Sequence, residues 1–243
     1  MSYPFLSIII PAYNEEHRLP HTLGRLSDFL EKQPYSYEVL IVENGSQDST
    51  LEIAKDFALH HQKFSAYHEE KRGKGLAVRR GMLEAKGSYR FMCDADFSMP
   101  ITEINRFFPP DLVDTDIAIA SREAAGSERI GEPFYRHLGG RWINTTIRLF
   151  VLPGLHDTQC GFKCFRQDVA QDLFNSITLM GWSFDIELLY IARIRGYTIS
   201  EIPIPWFFNP ESKLNVFQDA LLMFRDILTI RAKARHGVYN QKH

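Results

Sequence analysis

Cysteine is scarce in this chain: Cys93, Cys160 and Cys164 are the only thiols among 243 residues. So small and odd a number excludes a disulfide framework and points to a reducing compartment. Cys160 and Cys164 lack the further Cys or His ligands of a zinc site, so they read as packed thiols. An excess of one charge is also missing. The 28 Lys and Arg against 30 Asp and Glu leave a net charge of −2, which gives no basic field for nucleic acid. No uninterrupted apolar run reaches the roughly 18 residues of a spanning helix. The opening MSYPFLSIII has neither a basic start nor a cleavage pattern. The glycosylation-type triplets at Asn44 and Asn144 are therefore expected to be coincidental, and a cytoplasmic setting is expected. What is present is a globular composition, 44% hydrophobic and 24% charged, enough for one large α/β domain.

The first half alternates strand and helix patterns. Phe5–Ile10, Tyr37–Val42, Ser65–His68 and Tyr89–Cys93 are β-rich runs. Between them, helices are expected over Asn14–Leu30, from Asp48 or Ser49 to His60, and over Lys74–Ala85. This rhythm predicts a mainly parallel sheet with helices on both faces. Ligands of such sheets bind at the C-terminal strand ends. The second half is less regular. A strand is expected at Ile117–Ala120, then a polar loop over Ser121–Pro133 and a mixed helix over Phe134–Leu152. Asp157–Phe165 reads as loop then strand, Phe184–Arg195 as helix and Thr198–Ile204 as strand. Val216–Arg235 is amphipathic. Val216, Ala220, Met223 and Ile227 form one stripe, and Phe217, Leu221, Phe224 and Leu228 widen it before Arg231, Lys233 and Arg235. Two uses fit that helix: packing on the domain, or lying on a membrane surface.

Chemistry collects at the expected strand ends. Asp94 and Asp96 share a face if the strand continues through them. Two adjacent carboxylates repel unless a cation lies between them. Hard oxygen ligands suit Mg²⁺ or Mn²⁺, ions that commonly hold phosphates. Alone, the triplet also fits an ordinary turn. Arg72-Gly73-Lys74-Gly75 opens a helix, where glycines and a helix N-terminus favour an anion. It is not a Walker loop, since His68 and Gly75 stand where Gly and Ser or Thr are required.

In order, Pro11-Ala12-Tyr13-Asn14-Glu15-Glu16, Glu43-Asn44-Gly45-Ser46, Arg72–Gly81 and Asp94-Ala95-Asp96 resemble the inverting family 2 glycosyltransferases of GT-A fold. Asp157–Lys163, Trp182–Glu187, Pro205-Trp206 and Ser212-Lys213 resemble the dolichyl-phosphate β-glucosyltransferase branch. Dolichol-phosphate mannose synthases are related. The resemblance spans about residues 5–232. It implies one catalytic domain over 1–232: a nucleotide-binding half at 5–96, an acceptor-binding half at 97–210 and the C-terminal helix at 211–235. Residues 236–243 are then a tail.

The resemblance also implies roles. Pro11, Ala12, Tyr13, Glu15, Glu43 and Asn44 would hold the nucleotide base. Glu43-Asn44 replaces the usual aspartate pair, and an Asn carbonyl can still accept from a uracil N–H. Arg72, Gly73 and Lys74 would meet the diphosphate. Asp94 would face ribose and sugar, and Asp96, with Asp94 beside it, would hold Mg²⁺ or Mn²⁺. Ser98 stands where mannose synthases carry a metal-binding Gln, leaving that place to water. Arg122 and Arg136, with Arg129 as a third candidate, would bind an acceptor phosphate by guanidinium forks. Asp157 would orient the sugar or act as base. Gln159, Trp182, Asp185, Ser212 and Lys213 complete the candidate substrate contacts. One of Asp185 and Glu187 is expected to be a helix cap or core ion pair. The implied reaction moves glucose from UDP-glucose to dolichyl or polyprenyl phosphate at the cytoplasmic membrane face, with a possible anchoring partner. GDP-mannose or another sugar donor, a hydroxyl acceptor, or a non-catalytic nucleotide-sugar-binding role remain alternatives.

Overall fold

The computed structural model describes residues 3–96, 98–133, 147, 151–209 and 216–242. Most of the helix expected at Phe134–Leu152 lies outside them, as do the candidate site residues Arg136, Ser212 and Lys213. Seven strands form one sheet in the order β3-β2-β1-β4-β7-β5-β8. They are β1 (Leu6–Ala12), β2 (Tyr37–Glu43), β3 (Phe64–His68), β4 (Tyr89–Met92), β5 (Ile117–Ser121), β7 (Lys163–Arg166) and β8 (Ile199–Pro203). All neighbours run parallel except β7, which is antiparallel to both β4 and β5.

Alternation along each strand builds two cores. Ile9, Met92, Ile117 and Ile119 point into one. Ile8, Ile10, Phe91, Ala118 and Ala120 point into the other. The first core is covered by α3 (Lys74–Glu84), α4 (Gln167–Ser176), α5 (Phe184–Ile194) and α6 (Val216–Arg235). The second is covered by α1 (Leu19–Leu30), α2 (Thr50–His60) and a 3₁₀ helix at Ile101–Phe107. The expected α/β class with helices on both faces is the observed one. All three cysteines are free and buried, and burial raises each thiol pKa.

Several expectations need correction. The first helix starts at Leu19, five residues after Asn14. Asn14 adopts φ 53°. The backbone N–H groups of Asn14, Glu15 and Glu16 donate to Ser46 Oγ, Thr50 Oγ1 and Asp48 Oδ2, at 3.0, 2.7 and 3.2 Å. These bonds to the next loop replace the first helical turn. The polar loop after β5 contains a strand, β6 (Glu128–Ile130), paired in parallel with β9 (Pro205–Phe207). The helix α4 was not anticipated, although Val169, Ala170, Leu173 and Phe174 have helical spacing and are buried.

Residues 236–242 are not a free tail. Tyr239 is fully buried; its hydroxyl donates to Glu187 at 2.6 Å, and its carbonyl accepts from Arg195 Nη2 at 3.0 Å. On α6, Met223, Ile227 and Ile230 enter the core, while Leu222, Phe224 and Leu228 are exposed by about half. Among the described residues, no helix is long and apolar enough to cross a membrane. The Tyr239 contact yields a stability prediction. Tyr239→Ala should cost about 3–5 kcal/mol as a buried aromatic truncation. Tyr239→Phe should cost about 1–3 kcal/mol through the hydrogen bond withdrawn from Glu187. Urea midpoints measure both, and a Tyr239→Phe midpoint equal to that of wild type would show that the hydroxyl contributes nothing.

Candidate active site

The C-terminal ends of β1, β2 and β4 lie side by side, with Ala12 level with Glu43 and Ile9 level with Met92. Because β7 is antiparallel, its first residue, Lys163, is level with Met92. The segment entering β7 therefore crosses the same edge of the sheet as Asp94.

At the β2 end, Glu43 is almost wholly buried. Its Oε1 accepts the Ser46 N–H, and Oε2 lies 2.6 Å from His68 Nδ1. Asn44, also buried, donates its backbone N–H to the Ala12 carbonyl at 3.1 Å. These contacts fix the turn beside Tyr13, whose ring lies 4.5 Å from the Arg72 guanidinium. Pro11 and Ala12 end β1. Glu15 forms a two-point fork with Arg18, at 2.6 and 2.7 Å.

Gly73 and Gly75 have a cause the sequence did not reveal. A Cβ on Gly73 would stand 2.6 Å from the Met180 carbonyl oxygen, and one on Gly75 would stand 2.7 Å from Phe184 Cβ. The glycines seat the start of α3 against the 180–184 segment. That contact places Lys74 Nζ 2.6 Å from Asp94 Oδ1 and 5.1 Å from the Trp182 ring. Burial alone would lower the Lys74 pKa, but Asp94, Asp185 and Asp96 together leave it raised. Trp182 is 47% exposed, an open aromatic wall beside this charge.

Asp96 accepts the Ser98 N–H at 3.1 Å. Asp94 lies so close to Gly161 that a Cβ there would stand 2.1 Å from Oδ2. Asp185, on α5, is buried and 2.8 Å from Lys163 Nζ. Burial raises its pKa against the pull of Lys163 and Lys74. Glu187 accepts from the backbone N–H groups of Thr178 and Leu179, at 2.8 and 2.6 Å. Asp185 is thus a core ion pair, and Glu187 fixes the turn that carries Met180.

A second group stands at the β5 end. Asp157 is fully buried and receives Arg122 Nε at 2.6 Å, Nη2 at 2.9 Å and the Arg122 backbone N–H at 3.0 Å. The Gln159 N–H approaches the same carboxylate at 3.3 Å. Burial pushes this carboxyl up, yet the Arg122 guanidinium pulls it down further, to about 2. Arg122 is raised in turn, because Asp157 outweighs its burial. Such a carboxylate orients a guanidinium and is a weak proton acceptor. The Arg122 and Arg129 guanidiniums lie 5.5 and 5.7 Å from the Trp206 ring. The β6–β9 register, Arg129 level with Trp206, sets that arrangement.

Sequence reasoning did not place Lys163, Trp206 or His68 at the site. Lys163 and Trp206 lie inside motifs already noted, and their position next to charged candidates was the available signal. Among the described residues no group of three or more His, Cys, Asp or Glu forms a metal cage. The oxygens of Asp94 and Asp96 do suit a hard cation that also binds a ligand's phosphates and water.

Residues 7–174 match the family described as Glycosyl transferase family 2. A dolichyl-phosphate beta-glucosyltransferase of Drosophila melanogaster is 37% identical over 249 residues, 96% of this chain and 76% of that protein. The mannosyl-3-phosphoglycerate synthase of Rubrobacter xylanophilus superposes with TM-score 0.72 at 16% identity, covering 96% of this chain and 75% of that one. The glucosyl-3-phosphoglycerate synthase of Mycobacterium tuberculosis, solved with Mn²⁺, UDP-glucose and glycerol 3-phosphate, gives TM-score 0.66 at 16% identity, covering 96% and 80%.

The Asp157 pKa has a sign that can be tested. Its folded value, about 2, lies below the ordinary 3.8. Its ionised form therefore stabilises the fold above about pH 4, and that contribution fades as pH falls through 2. The stability gap between wild type and Asp157→Asn should be constant from pH 7 to about 4 and shrink below it. Denaturation at stepped pH reads this; a gap that widens on acidification would contradict it.

Proposed function

The chain belongs to glycosyl transferase family 2, and from that premise we propose that it moves glucose from UDP-glucose to dolichyl or polyprenyl phosphate, giving a β-linked lipid-phosphate sugar. The relatives' activity supports the glucosyl donor and the lipid acceptor. The M. tuberculosis neighbour supports UDP-glucose with a divalent ion on this fold. The observation that carries the reading is that the Lys74–Asp94 pair beside Trp182, and the Arg122–Asp157 fork, stand at the same edge of the sheet.

Tyr13, Glu43, Asn44 and Arg72 form the base end of the donor site. Glu15, Pro11 and Ala12 shape the loop beneath it. Gly73 and Lys74 approach the diphosphate, and Asp94 faces ribose and glucose. Asp96, with Asp94 beside it, would hold Mg²⁺ or Mn²⁺, which when bound neutralises the leaving diphosphate. Trp182 and Gln159 border the glucose, while Asp185 remains the buried partner of Lys163. The fork on Asp157 uses Arg122 Nε and Nη2, so Nη1 is the edge that meets the acceptor phosphate. Arg136 supplies a second guanidinium, and Ser212 and Lys213 are further substrate-binding residues. A phosphate acceptor is already an anion, so its attack on the anomeric carbon needs alignment and no general base. In-line attack inverts that carbon and releases UDP.

A lipid acceptor calls for contact with a membrane surface, and the proposed surface is the cytoplasmic one, with or without an anchoring partner. The exposed Leu222, Phe224 and Leu228 on α6, followed by Arg231 and Arg235, support a peripheral contact.

The first test is a donor panel with short polyprenyl phosphate, with and without Mn²⁺, read by mass spectrometry. Product from UDP-glucose alone is expected; product from GDP-mannose alone would reassign the donor. Asp96→Ala should lower turnover by at least about 10³-fold, comparable to losing an electrostatic stabiliser, with an unchanged circular dichroism spectrum. Full activity in that variant would remove the metal assignment. Arg136→Ala should leave UDP affinity unchanged and raise the acceptor KM about tenfold or more, as expected for a lost charge-assisted contact. Unchanged acceptor kinetics would overturn that role.

A further inference from the structure

Lys163 is a fully buried ammonium at the first position of a central strand. Taking two charges out of water costs several kcal/mol per ion, so such pairs add little stability over apolar packing. Lys163 makes two contacts, each leading toward Asp94. Nζ donates to the Cys160 carbonyl at 2.6 Å, fixing the turn that presses Gly161 against the Asp94 carboxylate. Nζ also pairs with Asp185 Oδ1 at 2.8 Å. Asp185 lies in the field of a second cation, Lys74, which pairs with Asp94 at 2.6 Å. Two ammonium groups and two carboxylates thus alternate from the core to the strand end.

That alternation makes the pairing conditional. Without Lys163, Asp185 would be a buried carboxylate with one remaining nearby cation, Lys74. A buried unpaired charge is far costlier than a partly exposed one. Asp185 would then draw Lys74 inward and leave Asp94 without its ammonium. We propose that Lys163 is a positioning residue: by occupying Asp185 it keeps Lys74 on Asp94, and by holding the Cys160 carbonyl it keeps Gly161 under the same carboxylate. Lys163 touches no substrate in this scheme. It joins the acceptor-side segment 157–161 to the donor-side pair and sets how UDP is received. The proposal rests on the donor-site reading given above.

The test is calorimetric titration of UDP in the presence of Mn²⁺, on protein shown to be folded by circular dichroism. Binding of UDP by wild type checks the donor-site reading itself, and its absence would overturn that reading before any variant is compared. Lys163→Met should weaken UDP affinity at least tenfold. A purely structural loss would reduce the number of binding-competent molecules and leave Kd unchanged. Adding Asp185→Asn to Lys163→Met should restore most of the lost affinity, because no carboxylate then competes for Lys74, and the part not recovered reads the lost Cys160 contact. In a Lys74→Met background, Lys163→Met should cost less affinity than it does in wild type. If Lys163→Met fails to fold, Lys163→Gln, which keeps a donor for the Cys160 carbonyl, carries the same two expectations. A Kd within twofold of wild type in the folded single variant, or no recovery in the double variant, would overturn the proposal.

Discussion

One antiparallel strand governs the geometry of the second half of the molecule. β7 lies between β4 and β5, two strands that run in the other direction. A parallel strand in that place would deliver its leading segment to the opposite edge of the sheet. Reversal brings residues 157–163 across the edge where Asp94 and Asp96 emerge. The fit leaves no spare volume: Gly161 is the only residue type that allows the Asp94 carboxylate to lie where it does. The Asp94 strand end and the 157–163 segment, distant in sequence, meet through that strand.

The site is built from charges that are mostly paired already. Lys74 is held by Asp94, Arg122 by Asp157, Lys163 by Asp185, Glu43 by His68 and the Ser46 amide. Such pairing places charged groups before any ligand arrives, which lowers the reorganisation a reaction requires. Asp157 and Asp185 show how environment separates like side chains. A guanidinium fork holds the first well below the usual carboxylate range, whereas burial dominates the second and raises it.

The first four strands and their helices were legible because hydrophobic periodicity and turn residues agree there. The acidic pair was legible because carboxylates ending an apolar strand have few other uses. Other features carried no local signal. β6 and β9 are three residues each and make sense only as partners. The reason for Gly73 and Gly75 lies in Met180 and Phe184, more than a hundred positions away. The Arg122–Asp157 fork spans 35 residues, so both were nominated as site residues without their mutual dependence. The α6 helix packs on the domain as one of its two readings expected, through Met223, Ile227 and Ile230, while Leu222, Phe224 and Leu228 face outward.

The hydrogen bond from Tyr239 to Glu187 spans 52 positions, and that span has a temporal side. During synthesis, α5 leaves the ribosome well before the tyrosine that seals it. In that interval the Glu187 carboxylate keeps a water shell, and the turn it fixes at Thr178 and Leu179 lacks its final support. Met180, on that turn, is the surface on which Gly73 and Gly75 rest. The β1–β4 half, although translated first, therefore gains this support only after Tyr239, beyond α6, has docked.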